Sequence, residues 1–497
     1  MNAPIRTELL RHPDRFYIGG EWARPSTDAR FEVINSGTEA LFQRVAEAQE
    51  ADVERAVAAA RKAFDEGPWP RLTHRERADY LRRIGAAVEA RAADLGLIWT
   101  IESGVVHKLS QRTSETLGGT WRYYAGLADT FAFEERHTPH GGGKVGLLAR
   151  EPVGVVAAII PWNGPSLLLG YKCAPALLAG CTVIVKPSPE APSAAYVLAE
   201  CCEEVGLPPG VLNVLTADRA VSELLVRHPG VDKITFTGST AAGRRIASLC
   251  GERIARCTLE LGGKSAAVIL DDYDVGTAAK TIAGGATFLT GQVCSSLTRI
   301  IVTRKRHDAM LEALAGAFGR VRVGDPFDPA TQMGPLAMCR QRERVEHYIA
   351  LGKQEGATLA TGGGRPAQLP KGYFVEPTVF GNVDNHSTIA REEIFGPVLS
   401  VIPAADEADA VRIANDSIYG LNASVFTNDV ERAYAVAREL RSGTVGHNAF
   451  RSDFTIGFGG FKQSGTGREG GVDGLLPFLE AKTIILDALP AHWAAKD

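Results

Sequence analysis

The sequence predicts an α/β fold that has a Rossmann-type parallel sheet, a second α/β domain and a small β-hairpin arm. The first observation is a series of short β-branched runs that alternate with helical stretches: VGVVAAII (153–160), TVIV (182–185), VLNVL (211–215), KITF (233–236) and SAAVIL (265–270). Such alternation is typical of a doubly wound parallel sheet. A second alternation, from about residue 300 to 445, predicts the other domain, and a Gly-rich turn between FEERHTP and GKVGLLAREP predicts the arm.

Helices are predicted before and between these strands. Residues 51–98 carry apolar side chains at three- and four-residue spacing, which is the period of an amphipathic helix. PSLLLGYKCAPALLAG and APSAAYVLAECCEEVG separate the first three strands. Ligands of such sheets bind beyond the carboxyl ends of the strands, so the residues that follow each strand are the first candidates for a functional site.

The composition excludes several classes of protein. The chain has 497 residues, of which 45% are hydrophobic and 23% charged, with a net charge of −4. These values are ordinary for a soluble globular protein and give no reason to expect a nucleic acid or an anionic membrane as partner. No apolar run approaches the roughly 18 residues of a membrane span, and the N-terminus lacks the pattern of a signal peptide. Eight cysteines without a C-x-x-C pair indicate a cytoplasmic protein with neither a metal site nor a disulfide framework.

The stretch FLTGQVCSSLTR (288–299) contains the most conspicuous candidate residue. Cys294 has small and polar neighbours, whereas a cysteine that serves only packing usually has apolar ones. An accessible thiol in such surroundings indicates chemistry.

Other candidates follow the predicted strands. Gly238 and Ser239 lie where KITF turns into a helix, and a helix N-terminus suits a phosphate. Taken alone, this turn is more typical of an ordinary strand–helix connection, because it is not a G-x-G-x-x-G motif. Lys186 ends TVIV and could reach a ribose or a phosphate, although a solvated lysine would look the same.

Two further residues complete a plausible reaction. Asn163 follows a strand in PWNGP. Its side-chain amide could donate a hydrogen bond to an oxyanion, or the residue could simply cap a helix. Glu260 lies between two leucines, and such apolar surroundings raise the pKa of a carboxyl group toward that of a useful base. Together, a thiol, an oxyanion donor, a dinucleotide site and a base would oxidise an aldehyde to an acid through a thioester at Cys294.

At this point the sequence resembles the NAD(P)-dependent aldehyde dehydrogenase superfamily over essentially its full length. The matching stretches, in the family's order and spacing, are PWNGP (161–165), VIVKPSP (183–189), FTGSTAAG (236–243), LELGGK (259–264), GQVC (291–294), EEIFGPV (392–398), YGLNASVFT (419–427) and FGGFKQSGTGRE (458–469). The resemblance implies that Cys294 is the nucleophile, Glu260 the general base and Asn163 the oxyanion-hole amide. It also implies that Lys172 and Glu469 take part in proton relay and support of the active site.

The same resemblance implies the binding residues and the domain limits. The implied cofactor contacts are Ile160, Pro161, Trp162, Lys186, Pro189, Gly238, Ser239, Leu261, Glu393 and Phe395. The implied substrate pocket contains Gly164, Tyr171, Phe288, Phe458 and Arg451, and Gly118 and Gly119 are expected to widen it. We expect a dinucleotide-binding domain at 1–130 and 151–261, a catalytic domain at 262–475, and an oligomerisation arm at 131–150 and 476–497 that exchanges strands in a homodimer or homotetramer.

Three departures from the family pattern bear on specificity. Pro189 occupies the position of a glutamate that grips the adenosine ribose in many NAD-preferring members, so we expect NAD with measurable use of NADP. Gly164 replaces a common aromatic residue, which predicts a wide apolar tunnel for aromatic or branched aldehydes. GHN (446–448) replaces a usual W-V-N, and Arg451 follows it, so a semialdehyde whose carboxylate pairs with Arg451 is the alternative substrate.

Other activities remain as alternatives. CoA-dependent acylating members commonly lack the glutamate that corresponds to Glu260, so its presence favours hydrolysis. A cysteine hydrolase would need no cofactor, and the phosphate-binding pattern argues against it. A catalytically silent structural protein would not need Cys294, Glu260 and Asn163 together.

Overall fold

The computed structural model describes residues 9–494, and its elements confirm the predicted α/β class. The strands are β1 (Phe16–Ile18), β2 (Glu21–Ala23), β3 (Arg30–Ile34), β4 (Leu41–Ala46), β5 (Glu134–His137), β6 (Val145–Pro152), β7 (Val155–Ile160), β8 (Thr182–Pro187), β9 (Leu212–Val214), β10 (Lys233–Thr237), β11 (Arg256–Glu260), β12 (Ser265–Ile269), β13 (Leu297–Thr303), β14 (Thr358–Thr361), β15 (Thr378–Gly381), β16 (Val398–Ala404), β17 (Asn422–Phe426), β18 (Thr444–His447), β19 (Gly465–Thr466) and β20 (Leu479–Leu486). The helices are α1 (Glu50–Asp65), α2 (His74–Ala90), α3 (Ala92–Ser103), α4 (His107–Ser114), α5 (Gly118–Thr130), α6 (Pro165–Ala179), α7 (Ser193–Glu204), α8 (Arg219–Arg227), α9 (Thr240–Arg253), α10 (Val275–Thr287), α11 (His307–Phe318), α12 (Cys339–Gln354), α13 (Thr388–Arg391), α14 (Glu407–Asn415), α15 (Val430–Glu439) and α16 (Ala491–Ala494).

The first sheet has the strand order β19-β11-β10-β7-β8-β9-β1-β2, and the five strands from β11 to β9 are parallel. In the parallel part of the sheet, the chain forms β7 first and then adds β8 and β9 on one side. It then returns to add β10 and β11 on the other side of β7. This reversal is the arrangement of a doubly wound nucleotide-binding sheet. The predicted grouping of 265–270 with this sheet is wrong, because β11 fills the fifth parallel position.

The second sheet has the order β14-β15-β16-β13-β12-β17-β18. β12 pairs in parallel with β13 and β17, which places SAAVIL in this second sheet. A β-branched run identifies a buried strand, but it carries no information about which neighbour the strand will pair with. α10 and α11 pack on one face of the sheet, where buried side chains such as Met310 and Phe318 form a separate apolar core.

The predicted arm is a three-stranded antiparallel sheet with the order β20-β6-β5. β20 pairs with β6 along its whole length: Leu479 is opposite Pro152 at one end, and Leu486 is opposite Val145 at the other. The C-terminal segment therefore adds a third strand to the hairpin of the same chain. Two predicted segments extend beyond the described residues. Residues 1–8 of the predicted dinucleotide domain lie outside them, and these residues belong to the N-terminal stretch in which no signal peptide was predicted. Residues 495–497 of the predicted arm also lie outside them.

Helix termini follow the local sequence. α6 starts at Pro165, whose ring suits the first position of a helix, and ends before Gly180, whose φ of +102° is left-handed. Within residues 9–494, no helix combines the length and the apolar character that a membrane span requires.

Candidate active site

The carboxyl ends of four parallel strands bring the predicted site residues to one edge of the first sheet. Ile160 at the end of β7 pairs with Pro187 at the end of β8, and Thr237 at the end of β10 pairs with Glu260 at the end of β11. Because parallel strands end at a common edge, the segments that follow them are neighbours.

Cys294 lies after a turn with an unusual backbone. Leu289, Thr290 and Gly291 all have positive φ, at +48°, +56° and +72°. A side chain at Gly291 would lie 2.3 Å from the main chain of Gly396, so only glycine fits there. Gln292 holds the turn through its side chain, which donates to the carbonyl of Leu289 at 3.1 Å and accepts from the N–H of Ala337 at 2.9 Å. Strained backbone held by several contacts is typical of a functional turn.

Cys294 itself is half-buried, and its thiol is protonated at neutral pH. Burial raises the pKa of Cys294 to about 12, and the charges of Glu393 and Glu260 contribute to the rise. The main-chain N–H groups of Ser295 and Cys294 lower the pKa of the thiol, but by less. The thiol therefore needs a proton acceptor, or a change in its surroundings, before it can attack a carbonyl.

Asn163 lies beside the same turn, as predicted for an oxyanion donor. Its Nδ2 donates to the carbonyl of Gln292 at 2.9 Å. Its own carbonyl accepts from the indole N–H of Trp99 at 2.8 Å, and the carbonyl of the preceding residue, Trp162, accepts from Ser103 at 2.7 Å. The amide is thus held by one of its two hydrogens, and the other hydrogen is available to a ligand.

Glu260 is a buried carboxyl group with an elevated pKa. The residue is 3% exposed, and neither carboxyl oxygen has a hydrogen-bond partner among the described residues. Burial raises the pKa of Glu260 well above its usual range, and the nearby charge of Glu469 raises it further. Gly459, with a φ of +156°, allows the close approach, because a Cβ there would lie 2.7 Å from Oε1 of Glu260.

Lys172 and Glu469 form a buried ion pair behind Glu260. Nζ of Lys172 also lies 3.3 Å from the hydroxyl of Thr235, which lies 3.5 Å from the carboxylate of Glu469. The second oxygen of Glu469 is buried with no hydrogen-bond partner in the described part of the chain. The charge of this buried pair reaches Glu260, because the carboxylate of Glu469 contributes to the raised pKa of Glu260.

The predicted phosphate-binding turn is an N-capped helix terminus. Ser239 accepts the N–H of Ala242 at 3.3 Å and so begins α9, while the N–H of Gly238 donates to the carbonyl of Glu260 at 3.0 Å. A Cβ at Gly238 would lie 2.4 Å from the ring of Phe236. The glycine keeps the turn tight, and the free N–H groups of the first helical turn suit an anion.

Lys186 and Pro189 follow β8. Lys186 is buried, and burial lowers its pKa to about 8 although the carboxylates of Glu190 and Asp218 oppose the shift. Pro189 is half-buried and provides no carboxylate. Glu190 instead pairs with Arg340.

The remaining predicted cofactor residues lie where segments of the two sheets meet, and this junction is here named the cleft. Ile160 is buried, Pro161 is half-buried, and the ring of Trp162 meets that of Phe395 edge-on, with centroids 5.3 Å apart. Glu393 accepts the N–H of Gly263 at 3.1 Å, and burial raises its pKa to about 7. Leu261 is buried and packs against α9. This donor set, with a buried lysine, a helix N-terminus and a carboxylate, fits a dinucleotide.

The sequence did not identify a helix that supports this cleft. Near the start of α12, Gln341 donates to the carbonyl of Phe395 at 2.7 Å, and Arg344 donates to the carbonyl of Glu393 at 2.5 Å. Both acceptors lie in the EEIFGPV stretch, whose match to the family could have directed attention to its neighbours. The contacts are too distant in sequence for spacing to predict them.

An aromatic stack forms one wall of the predicted substrate pocket. Phe454 lies between Tyr171 and Phe458, with ring centroids 4.3 Å and 4.4 Å apart and near-parallel planes. Phe454 was not predicted, because it lies in the irregular loop AFRSDFTIGF. Gly164 is buried, yet a Cβ at this position would meet no atom within 4 Å, so open space lies beside the residue.

Phe288 and Arg451, two other predicted pocket residues, are not members of this stack. Phe288 is 36% exposed and lines a cavity of about 290 Å³ together with Val106 and Leu109 of the α4 region. Arg451 is exposed, and its main-chain carbonyl accepts from Asn422 at 2.8 Å. The expectation that Gly118 widens the tunnel is wrong, because a Cβ there would lie 2.6 Å from the carbonyl of Gly85 on α2. Gly118 instead permits close packing of two helices.

Comparisons with known proteins identify the family of the chain. The chain is 45% identical over 471 residues to geranial dehydrogenase from Castellaniella defragrans, with 95% of this chain and 98% of that protein covered. It is 42% identical over 481 residues to 3-succinoylsemialdehyde-pyridine dehydrogenase from a Pseudomonas species, with 96% and 99% covered. A solved Mycobacterium tuberculosis aldehyde dehydrogenase complexed with NAD+ superposes with a TM-score of 0.92 at 44% identity, over 95% of this chain and 98% of that one. The model of the aldehyde dehydrogenase family matches residues 22–484, and the chain belongs to this family.

Proposed function

We propose that this enzyme oxidises bulky apolar aldehydes to carboxylic acids with NAD+, through a thiohemiacetal and then a thioester on Cys294. The observation that carries the reaction is the hydrogen bond from the Asn163 amide to the carbonyl of Gln292, two residues before Cys294. The charge of Glu260 contributes to the raised pKa of the Cys294 thiol, which supports placing the base near the nucleophile. A nucleophile, a base and an oxyanion donor are the parts that such a reaction needs.

The first step is attack of the Cys294 sulfur on the aldehyde carbon. The thiol proton must leave, and the carbonyl oxygen gains negative charge as the carbon–sulfur bond forms. The second hydrogen of the Asn163 amide and the main-chain N–H of Cys294 are the donors for that oxygen. Donors that are already held in place stabilise such charge without reorganisation.

NAD+, when bound, accepts the hydride that leaves the tetrahedral carbon, and the acyl group then remains on Cys294 as a thioester. Glu260, in its ionised form, takes a proton from water, and the resulting hydroxide attacks the thioester carbon. Cleavage of the carbon–sulfur bond releases the acid and a thiolate, which takes up one proton from solvent and so replaces the proton lost in the first step. One aldehyde, one NAD+ and one water thus yield one acid, one NADH and one proton.

Glu469 and Lys172 provide a route for the proton that Glu260 receives. The charge of Glu469 raises the pKa of Glu260, and Glu469 is paired with Lys172. We propose that the proton on Glu260 passes inward toward this ion pair before the next turnover.

The preferred substrate follows from the walls of the pocket. The stack of Tyr171, Phe454 and Phe458 offers aromatic surface, and Gly164 leaves room beside it. Burial of apolar surface contributes roughly 25 cal/mol per Å², so a ring or a branched chain gains a few kcal/mol over acetaldehyde. The relative named geranial dehydrogenase supports a branched unsaturated aldehyde of this kind.

A semialdehyde is the second candidate substrate. The relative named 3-succinoylsemialdehyde-pyridine dehydrogenase favours it, and Arg451 is the cation that would pair with the carboxylate. Absorbance at 340 nm decides between the two, with benzaldehyde, a branched enal, acetaldehyde and succinic semialdehyde each compared by kcat/KM, with and without CoA. We expect the two bulky aldehydes to lead by about one to two powers of ten without any need for CoA. A preference for succinic semialdehyde would overturn the apolar assignment.

We also propose the predicted domain limits and a homodimeric or homotetrameric state in the cytoplasm. The start of the catalytic domain at 262 is supported by β12, the first strand of the second sheet. In the described arm sheet, β5 and β20 are the edge strands, and Ile485 on β20 is 55% exposed. Exposed strand edges with apolar side chains favour pairing with another chain. Light scattering of the protein with and without residues 476–497 tests the assembly.

A further inference from the structure

Glu190 and Arg340 form an ion pair between the first sheet and α12. Nη1 of Arg340 lies 2.5 Å from Oε1 of Glu190, and Ser188 donates to the other carboxylate oxygen. Burial opposes ionisation of Glu190, but the bonds from Ser188 and Arg340 outweigh it and lower the pKa of Glu190 below its usual value. The carboxylate is therefore charged at neutral pH.

The position of this pair in the sheet indicates what it could bind. β8 is the second strand in the order in which the chain builds the parallel sheet, and Glu190 lies in the segment after it. In nucleotide-binding sheets of this type, a carboxylate in the corresponding region binds the adenosine ribose hydroxyls, whereas an arginine accommodates a 2′-phosphate. Here one residue of each kind is present, and the two are paired with each other.

α12 connects this position with the other end of the cleft. Arg340 reaches Glu190, while its neighbours Gln341 and Arg344 hold the main chain of Phe395 and Glu393. The first turns of α12 therefore lie between the two ends of the site that we assign to the cofactor. Arg340 is therefore adjacent in sequence to a residue that holds the main chain of Phe395, while its own side chain reaches Glu190.

We infer that Arg340 and Glu190 together read the adenosine ribose and admit both NAD+ and NADP+, an inference that rests on the proposed function. With NAD+, Glu190 stays paired with Arg340 and accepts a hydrogen bond from a ribose hydroxyl. With NADP+, Arg340 leaves Glu190 and pairs with the 2′-phosphate, which the carboxylate alone would repel. The planar guanidinium group suits either oxyanion.

The exposure of the two side chains allows this exchange. The side chain of Arg340 is 58% exposed and can turn, whereas that of Glu190 is 21% exposed and is also held by Ser188. Because the side chain of Arg340 is mostly exposed, its replacement should cost the fold little. Pro189 restricts the backbone between Ser188 and Glu190, which favours a fixed carboxylate.

Calorimetric binding of 5′-AMP and 2′,5′-ADP to the cofactor-free protein tests the inference without any aldehyde. We expect Arg340→Met to weaken 2′,5′-ADP binding by about tenfold and to change 5′-AMP binding by less than about threefold. Glu190→Gln should do the reverse, with tighter 2′,5′-ADP binding and weaker 5′-AMP binding. Arg365→Met is the matched control, because Arg365 forms a similar exposed pair with Glu346 of the same helix.

The possible outcomes separate the inference from the function on which it rests. If the parent protein binds both nucleotides and Arg340→Met weakens them equally or not at all, the ribose-reading role is wrong and the cofactor site stands. If the parent protein binds neither nucleotide, the cofactor assignment itself is overturned, and this inference with it. Partial recovery of 2′,5′-ADP binding in Arg340→Lys would support a direct contact with the phosphate.

Discussion

The side-chain amide of Asn163 donates a hydrogen bond to the main-chain carbonyl of Gln292, two residues before Cys294. The bond joins the segment after β7 to the strained turn that carries the thiol. One amide hydrogen is used for this contact, so the position of the other relative to Cys294 is fixed by the fold. The oxyanion donor is therefore held by the same turn that holds the nucleophile.

Asn163→Ala should lower kcat/KM by about 10² to 10³, which is the usual cost of removing one oxyanion donor. The same change removes the bond to Gln292, so the turn itself could loosen. Thermal unfolding and cofactor binding distinguish the two effects, because loss of the donor alone leaves both unchanged. An Asn163→Ala enzyme with at least half of the parent kcat/KM would contradict the role of this amide.

The pH dependence of turnover should reflect the elevated pKa of Glu260. A base works when it has lost its proton, and a raised pKa moves that loss to higher pH. With hydrolysis of the thioester rate-limiting, kcat should therefore keep rising with pH through the neutral range, and not level off just above the usual glutamate pKa of about 4.3. Glu260→Gln should remove this rise, whereas a parent profile that is already flat throughout the neutral range would exclude Glu260 as the base.

Pro189→Glu should reduce the use of NADP+ relative to NAD+. A second carboxylate beside Glu190 would meet the charge of the 2′-phosphate, and Arg340 cannot neutralise both. We expect the ratio of kcat/KM for NAD+ to that for NADP+ to rise by about tenfold, measured with one aldehyde at saturation. An unchanged ratio would show that residue 189 does not face the ribose.

Gly164→Phe should narrow the substrate pocket. The added ring would occupy space that bulky aldehydes use, so their kcat/KM should fall by about one to two powers of ten while that of acetaldehyde changes little. Gly251→Phe is the control, because a Cβ at this exposed glycine of α9 would also meet no atom within 4 Å, and the residue lies away from the pocket. If Gly164→Phe and the parent enzyme had the same kcat/KM for benzaldehyde, the assignment of Gly164 to the substrate tunnel would be wrong.

Local patterns in the sequence predicted five strands of the two sheets, the strands of the arm hairpin and the candidate residues at several strand ends. β7, β8, β9 and β10 coincide with the β-branched runs, because burial on both faces selects such residues. The pairing of β12 was predicted wrongly, since partner choice depends on the connections and not on the run itself. Gly118 was misassigned for a similar reason, because its close contact with Gly85 joins two helices that no local pattern relates.

The parts of the site that escaped prediction depend on long-range contacts or on backbone geometry. Phe454 lies in a segment without a helical or strand-like spacing of apolar residues. Its sequence context therefore does not predict that its ring stacks on those of Tyr171 and Phe458. The positive φ of Leu289 and Thr290 is unexpected for such residues, because side chains with a Cβ disfavour that region. Only the folded contacts of Gln292 with Leu289 and Ala337 explain why the turn adopts it.

Trapping of the acyl-enzyme tests the central claim most directly. Glu260→Gln is mixed with NAD+ and benzaldehyde, quenched in acid, and examined by intact-protein and peptide mass spectrometry, with NADH followed in parallel at 340 nm. Loss of the base should leave the first turnover intact and block the second, so about one NADH per active site should form in a burst. Cys294→Ala combined with Glu260→Gln is the control.

The account predicts that a benzoyl group accumulates on the peptide that contains Cys294, in an amount equal to the NADH burst, and that the double variant carries none. Cys339, which is exposed, should stay unmodified. A burst without a bound acyl group, or an acyl group on any other residue, would contradict covalent catalysis through Cys294.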